Sequence, residues 1–287
     1  MSIRTGFIGL GNIGKPMAER LLAAFPGTLV FDVVAERVEE LAKLGAEVAD
    51  SPRDLAARSD VTGICVRDDA DVEAVSRGSD GVLAGAERGS VIAVHSTVGP
   101  NTVTKLGEAA AERGVRVLDA CISGGSAGAQ RGTLLYMVGG DAADLERARP
   151  AFETSAGKIV HTGPLGSGAA AKLCNNLMTY QAWLSVFEAT HLARAAGLAQ
   201  DVLEEVTRAS GNLTEPMLAF LALHKVPAET HQSAGFQALL ENFTTLAEKD
   251  LAATLDLARS CGIALPGTGL CQQLMARVYG LNDDRRR

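Results

Sequence analysis

The chain has 287 residues, 47% of them hydrophobic, with 34 acidic against 27 basic side chains and a formal net charge of −7. That length allows two domains or one large one, and the acidic balance, with a pI of about 5.3, argues against nucleic acid as the main partner. No apolar run is long enough to span a membrane, no Cys/His cluster has metal-ligand spacing, and the N-terminus is expected to enter the first strand without a leader segment. The five cysteines (Cys65, Cys121, Cys174, Cys261, Cys271) are odd in number and widely spaced, which predicts reduced, mostly buried thiols and a cytoplasmic protein. The basic tail Arg285-Arg286-Arg287 reads as a frayed terminus.

Thr5–Ile8 reads as a first strand. Gly9, Gly11 and Gly14 follow it at G-x-G-x-x-G spacing, ahead of a helix expected to begin near Asn12 and run on past Met17. Gly9 permits a tight turn, Gly11 lets backbone approach a pyrophosphate, and Gly14 lets helix and strand pack closely, so the loop is a candidate dinucleotide site. A second strand, Thr28–Phe31, is closed by Asp32, where a carboxylate would accept hydrogen bonds from ribose hydroxyls and repel a 2′-phosphate. Val33 follows it, and Arg37 reads as a solvated charge on the next helix, so NAD is expected over NADP. The alternative for Asp32 is a turn or helix-capping carboxylate.

Further strands are expected at Val61–Val66, Val91–Val94, Val115–Leu118, Leu134–Val138 and near Lys158–His161, with helices between them. Ser51-Pro52-Arg53-Asp54 is a helix start, with a capping serine and proline at the first helical position, and Pro100 opens another helix to about Arg113. This alternation predicts an α/β fold, a doubly wound parallel sheet with helices on both faces. After Gly163–Gly168 the pattern changes. A helix of about 28 residues is expected over Ala169–Ala196, followed by further helices with breaks at Gly197, Gly211, Pro227, Gly235 and Gly262–Pro266. The expected domains are therefore 1–163, binding the dinucleotide, and 164–287, all-helical.

Two later segments carry chemistry. Asp119–Leu134 holds six small residues from Ser123 to Gly128. Such a segment after a strand can aim N–H groups and the Ser123 hydroxyl at a substrate carboxylate, or can be a flexible connection. Lys172 begins the long helix among Ala169, Ala170, Ala171 and Leu173, with Asn176 four residues on and on the same face. A lysine on an apolar face is costly without a role or partner, and burial lowers its pKa toward the range of general acid/base work; the alternative is a snorkelling surface side chain.

These motifs together resemble the β-hydroxyacid dehydrogenases, the group that includes 3-hydroxyisobutyrate dehydrogenase and tartronate semialdehyde reductase, with 6-phosphogluconate dehydrogenase a more distant relative. The resemblance covers nearly all of the chain. The cofactor motif matches Gly9–Met17, with Ile13 in place of a methionine. The substrate motif matches Asp119–Ala129, with Cys121 in place of proline and Ile122 in place of valine. The catalytic motif matches Gly166–Asn176, and a late K-D pair matches Lys249-Asp250.

The resemblance implies that Gly9, Gly11, Asn12, Ile13, Gly14, Asp32, Thr97 and Lys249 bind the cofactor. It implies that Ser123, Gly124 and Gly125 hold the substrate carboxylate, that Lys172 is the general acid/base, and that Asn176 orients the hydroxyl and carboxylate. Lys172 sets the chain apart from imine reductases. The expected protein is a homodimeric or homotetrameric oxidoreductase that moves a hydride between NAD and a small 3-hydroxy acid or its semialdehyde. Succinic semialdehyde, glyoxylate or a sulfonated aldehyde as substrate, and a dinucleotide sensor without turnover, are the alternatives. Three positions depart from the family pattern: Val66-Arg67, where the family often has Leu-Pro, Val94, where it usually has an acidic residue, and Cys121.

Overall fold

The computed structural model describes residues 3–283, so the Arg285–Arg287 tail lies outside the described residues. The chain divides into two compact units, the first ending at Lys172 and the second beginning at Leu173. In the first, strands and helices alternate as β1 (Thr5–Ile8), α1 (Gly14–Ala24), β2 (Leu29–Phe31), α2 (Ala35–Ala42), β3 (Glu47–Val48), α3 (Pro52–Ala57), β4 (Val61–Ile64), α4 (Asp69–Ser76), α5 (Val82–Gly85) and β5 (Val91–Val94). They continue as α6 (Pro100–Ala111), β6 (Arg116–Ser123), α7 (Gly125–Arg131), β7 (Leu134–Gly139), α8 (Ala142–Glu153) and β8 (Ala156–Gly163).

The strands form one eight-stranded sheet in the order β3-β2-β1-β4-β5-β6-β7-β8. Neighbouring residues on each strand enter opposite cores, as the pleat demands: Phe7, Val91 and Ala93 lie in one cluster, and Ile8, Ile92 and Val94 in the other. The order reverses at β1, which lies between β2 and β4, so the loop after β1 opens at the crevice where such sheets take their ligands.

The sheet is not wholly parallel. β7 runs antiparallel to β6, with Asp119 opposite Gly139 and Ser123 opposite Leu135, and β8 then pairs parallel to β7. The cause is the short α7 between them: a parallel crossover needs a dozen or more connecting residues, whereas Gly124–Thr133 turns the chain back. The strand β6 also extends four residues past an interior aspartate, to Ser123, and the two-residue β3 was not anticipated. The segment Gly125–Arg131 is helix, not flexible connection. Helix α1 starts at Gly14, two residues later than expected. Two of the five thiols, Cys121 and Cys271, are buried, while Cys174 and Cys261 are exposed, so the cysteines are not mostly buried.

The second core of the first unit includes Ala169, from the opening turn of α9 (Ser167–Ala195). That close packing rests on Gly168, where a Cβ would lie 2.4 Å from the Asp119 carbonyl oxygen, 2.6 Å from that of Met137 and 2.8 Å from the Gly139 nitrogen. The buried face of the sheet also holds His95, stacked on Phe7 and edge-on to Tyr136 and Phe152. Its Nδ1–H donates to the Ala120 carbonyl at 2.9 Å, and burial pushes its pKa down to about 4, so the ring is neutral.

In the second unit, α9 is followed by α10 (Gln200–Ala209), α11 (Glu215–Leu223), α12 (Ala228–Gln232), α13 (Ala234–Ser260) and α14 (Pro266–Tyr279). Its core joins Tyr180 and Leu184 of α9 to Phe220, Leu251, Met275 and Tyr279. Gly235 does not break the chain. It is the second residue of α13, whose start is set instead by Ser233, its Oγ accepting the Phe236 N–H at 3.3 Å.

Gly168→Ala forces a methyl against three backbone atoms that cannot rotate away. It is expected to destabilise the protein by about 1–3 kcal/mol, read as a lower urea midpoint. Gly11 has nothing within 4 Å of where its Cβ would lie, so Gly11→Ala should leave the midpoint unchanged or slightly raised. Equal midpoints for Gly168→Ala and the parent would show that the close approach is not needed.

Candidate active site

The glycine-rich turn is built as the spacing predicts. A Cβ on Gly14 would lie 1.9 Å from the Gly9 carbonyl oxygen, and one on Gly9 2.2 Å from that of Cys65, so backbone contacts alone require glycine at both positions. Gly11 differs, because a Cβ there would meet no atom within 4 Å. Helix α1 begins directly after this turn, with no acidic residue in its first turn and no side-chain cap. Asn12 is exposed, and Ile13 is the N-cap residue.

Asp32 sits at the end of β2 with its side chain 5% exposed. Its Oδ2 accepts the Leu10 N–H at 2.6 Å, tying the strand end to the glycine turn, and its Oδ1 accepts that of Val34 at 2.8 Å. Arg37 is not simply a solvated charge: its Nη1 reaches back to Asp32 Oδ1 at 3.5 Å. Val33 beside it is 87% exposed.

At the ends of β4 and β5, the Ser96 hydroxyl donates to the Val66 carbonyl at 2.8 Å and accepts the Val66 N–H at 2.9 Å. Thr97 follows, half-buried. Arg67, in the place of a family proline, uses the N–H a proline lacks, which donates to Asp71 at 3.4 Å, and its exposed guanidinium pairs with the same carboxylate at 2.7 Å. Cys121, the other lost proline, is buried with its thiol 3.4 Å from the Ser96 carbonyl. Val94 is fully buried in the core.

Ser123 ends β6, and Gly124 and Gly125 turn the chain with φ of 126° and 62°. All three reach solvent. Four residues before Ser123 lies a carboxylate that the sequence reading left without a role. Asp119 is fully buried. Its Oδ1 accepts the Gly166 N–H at 3.0 Å and its Oδ2 that of Ala169 at 2.7 Å. Burial pushes its pKa above the usual carboxylate range, while those two amides pull it back. Asp119 thus caps the start of α9 and fixes where Lys172, three residues past Ala169, leaves the helix. Lys172 is 8% exposed.

In the second unit, Asn176 is 9% exposed and its Nδ2 donates to Asp250 Oδ2 at 2.7 Å. The Tyr180 hydroxyl, one turn further along α9, donates to the same oxygen at 3.1 Å. Lys249 Nζ lies 2.8 Å from Asp250 Oδ1. Asp250, 1% exposed, therefore holds Asn176, Tyr180 and Lys249 together. Tyr180 does not stand out in the sequence, and Asp250 stands out only as the second residue of the Lys249-Asp250 pair. The available signals were an i, i+4 relation to Asn176 and an acid inside an otherwise amphipathic helix.

Family models agree with this layout. The NAD binding domain of 6-phosphogluconate dehydrogenase matches residues 4–163, and the NAD-binding domain of NADP-dependent 3-hydroxyisobutyrate dehydrogenase matches 166–285. The chain is 38% identical over 272 residues to the NAD-dependent L-serine dehydrogenase of Pseudomonas aeruginosa, covering 93% of this chain and 89% of that one. It is 36% identical over 276 residues to the 3-hydroxyisobutyrate dehydrogenase of the same organism, covering 94% and 90%. The structure of Mycobacterium tuberculosis 3-hydroxyisobutyrate dehydrogenase with L-serine superposes with a TM-score of 0.82 at 30% identity, covering 98% of this chain and 94% of that one. With a matching fold, a dinucleotide turn of the right construction and relatives along its whole length, the chain belongs to the β-hydroxyacid dehydrogenase family, as an NAD-binding oxidoreductase that transfers hydride between the dinucleotide and the CH–OH carbon of a small hydroxy acid.

Proposed function

We propose that the substrate is a 3-hydroxy acid or its semialdehyde and that Lys172 is the general acid/base. The observation that carries this reading is Lys172 buried one helical turn before Asn176, whose amide is held by Asp250. L-Serine and 3-hydroxyisobutyrate, named for the relatives, both place a hydroxyl on the carbon β to a carboxylate. That shared fragment is what Ser123, Gly124 and Gly125 would hold, by the serine hydroxyl and backbone N–H groups. Asn176 has one N–H committed to Asp250, leaving its carbonyl and second N–H to orient the substrate.

The residues of the first unit fit a dinucleotide: a Cβ on Gly11 would meet no atom within 4 Å, the start of α1 has no side-chain cap and no carboxylate in its first turn, and Val33 gives an exposed apolar face beside Asp32. The bound dinucleotide supplies the hydride acceptor in oxidation and the donor in reduction. Lys172 takes the proton from the substrate hydroxyl oxygen in oxidation and returns it to that oxygen in reduction. Thr97 and Lys249 are read as nicotinamide-side contacts, and NAD as the preferred dinucleotide because Asp32 would repel a 2′-phosphate. Arg37 competes with that preference, since it already reaches Asp32.

We read the protein as a cytoplasmic homodimer or homotetramer. Among the described residues no helix is long and apolar enough to cross a membrane, and the five cysteines are free thiols. Nine of the thirteen large exposed apolar side chains among the described residues lie on the second unit, among them Met178, Leu192, Val202, Val206, Leu239 and Leu246, which favours a subunit interface there. Sedimentation equilibrium should give a multiple of the 29.8 kDa chain mass; a monomer at micromolar concentration refutes the assembly.

Lys172→Ala should lose at least ~100-fold in turnover while keeping its NAD affinity. Lys172→Arg should not rescue it, because a guanidinium does not release its proton near neutral pH. Oxidation by the parent should accelerate with rising pH, since the neutral amine is the base, and reduction should slow. In the same assays Ser123→Ala should raise KM for carboxylate substrates by the equivalent of ~1.5–3 kcal/mol. Near-normal single-turnover hydride transfer by Lys172→Ala would move the catalytic role elsewhere.

Titration with the two dinucleotides tests the cofactor reading. NAD should bind more tightly than NADP, and Asp32→Ala should narrow the gap. Tighter binding of NADP by the parent would show that Arg37, not Asp32, governs the choice.

A further inference from the structure

The second unit contains a cavity of about 460 Å³ that shares no residue with the candidate active site. His191, Arg194, His224, His231 and Arg277 line it, and no aspartate or glutamate does. Three of the protein's five histidines are therefore gathered in one cavity of a chain with net charge −7. Neither arginine has an acidic partner among the described residues. The wall between these groups is apolar and includes Phe187 and Phe220.

The lining comes from four helices. Phe187, His191 and Arg194 recur at i, i+4 and i+7 along one face of α9. His224 caps the C-terminal end of α11, His231 lies in α12 and Arg277 in α14. The His191 Nδ1–H donates to the Phe187 carbonyl at 2.8 Å, leaving its Nε2 for another partner. The His224 Nε2 is shielded from solvent and has no hydrogen-bond partner. Burial first, and then repulsion from His231, His191 and Arg194, holds the His224 ring below its ordinary pKa. The missing component is a negative charge with enough apolar body to cover the half-buried Phe187 and Val226.

We propose that this cavity binds a small organic carboxylate carrying an apolar or aromatic group. The arginines and histidines take the carboxylate, and Phe187 and Val226 take the body. The place is not the catalytic one: Phe187 lies eleven residues past Asn176 on the same helix, roughly 16 Å along its axis at 1.5 Å per residue.

Benzoate is the probe, titrated calorimetrically into the full-length protein, with benzyl alcohol as its uncharged counterpart and sulfate as an anion without an apolar body. Benzoate should bind saturably, with either control at least ~10-fold weaker. Arg194→Gln combined with Arg277→Gln should weaken benzoate at least ~10-fold while NAD affinity and turnover stay unchanged, and Lys172→Ala should leave benzoate affinity unchanged. In the parent, benzoate should also shift the ring resonances of His191, His224 and His231, a readout that needs no variant. The proposal is overturned by any of three results. Benzoate does not saturate or shift these rings, as when a second copy of the chain covers the cavity. The double variant binds it as the parent does. Lys172→Ala abolishes its binding, which would place the carboxylate in the active site.

Discussion

A carboxylate with no water around it must find donors, and the fold of the first unit is arranged to give Asp119 two of them. Leaving such a group buried without partners costs several kcal/mol, so the amides of Gly166 and Ala169 are not optional. They come from the opening of α9, some fifty residues further along the chain. Satisfying Asp119 therefore fixes the opening turn of that helix against β6, and the glycines at 139 and 168 remove the side chains that would hold it off. The position of Lys172, three residues past Ala169, follows from this, and Ser123 lies four residues past the carboxylate on the same strand.

Much of this was legible in the sequence because its physics is local. The glycine turn, the strand before it and the helix after it are specified within twenty residues, and Ser51-Pro52 caps α3 as its residues imply, with Ser51 Oγ accepting the Asp54 N–H at 3.1 Å. The long α9 could be read from an absence of Gly and Pro. What could not be read was set by distant partners. Asp119 looks like the end of an apolar strand until its partners at Gly166 and Ala169 are known, and β6 continues through it. The reversal of β7 depends on how few residues α7 supplies; Arg37 is the exception, since its partner Asp32 is only five residues back and the contact is made across the local turn between β2 and α2.

The same distinction separates the parts of the candidate site. Lys172 and Asn176 stand out by spacing on one helix. Asp250, which anchors Asn176, Tyr180 and Lys249, is 70 residues or more from two of its three partners. Only the pair Lys249-Asp250 is adjacent in sequence, and adjacency along a helix does not by itself predict an ion pair.

The bare start of α1 has an electrostatic consequence for how anions are shared out. A helix N-terminus carries about half a positive charge, and the protein treats two such ends in opposite ways. At α9 the field is already neutralised by Asp119, so that end has little left to offer an incoming anion. At α1 no carboxylate occupies the first turn and no side chain caps it, so no side-chain charge opposes the field there. In the site proposed above, diphosphate and carboxylate would thus be sorted before either binds. The first would meet the uncapped helix end, and the second side chains and turn amides, whose geometry discriminates between substrates as a diffuse helix field cannot.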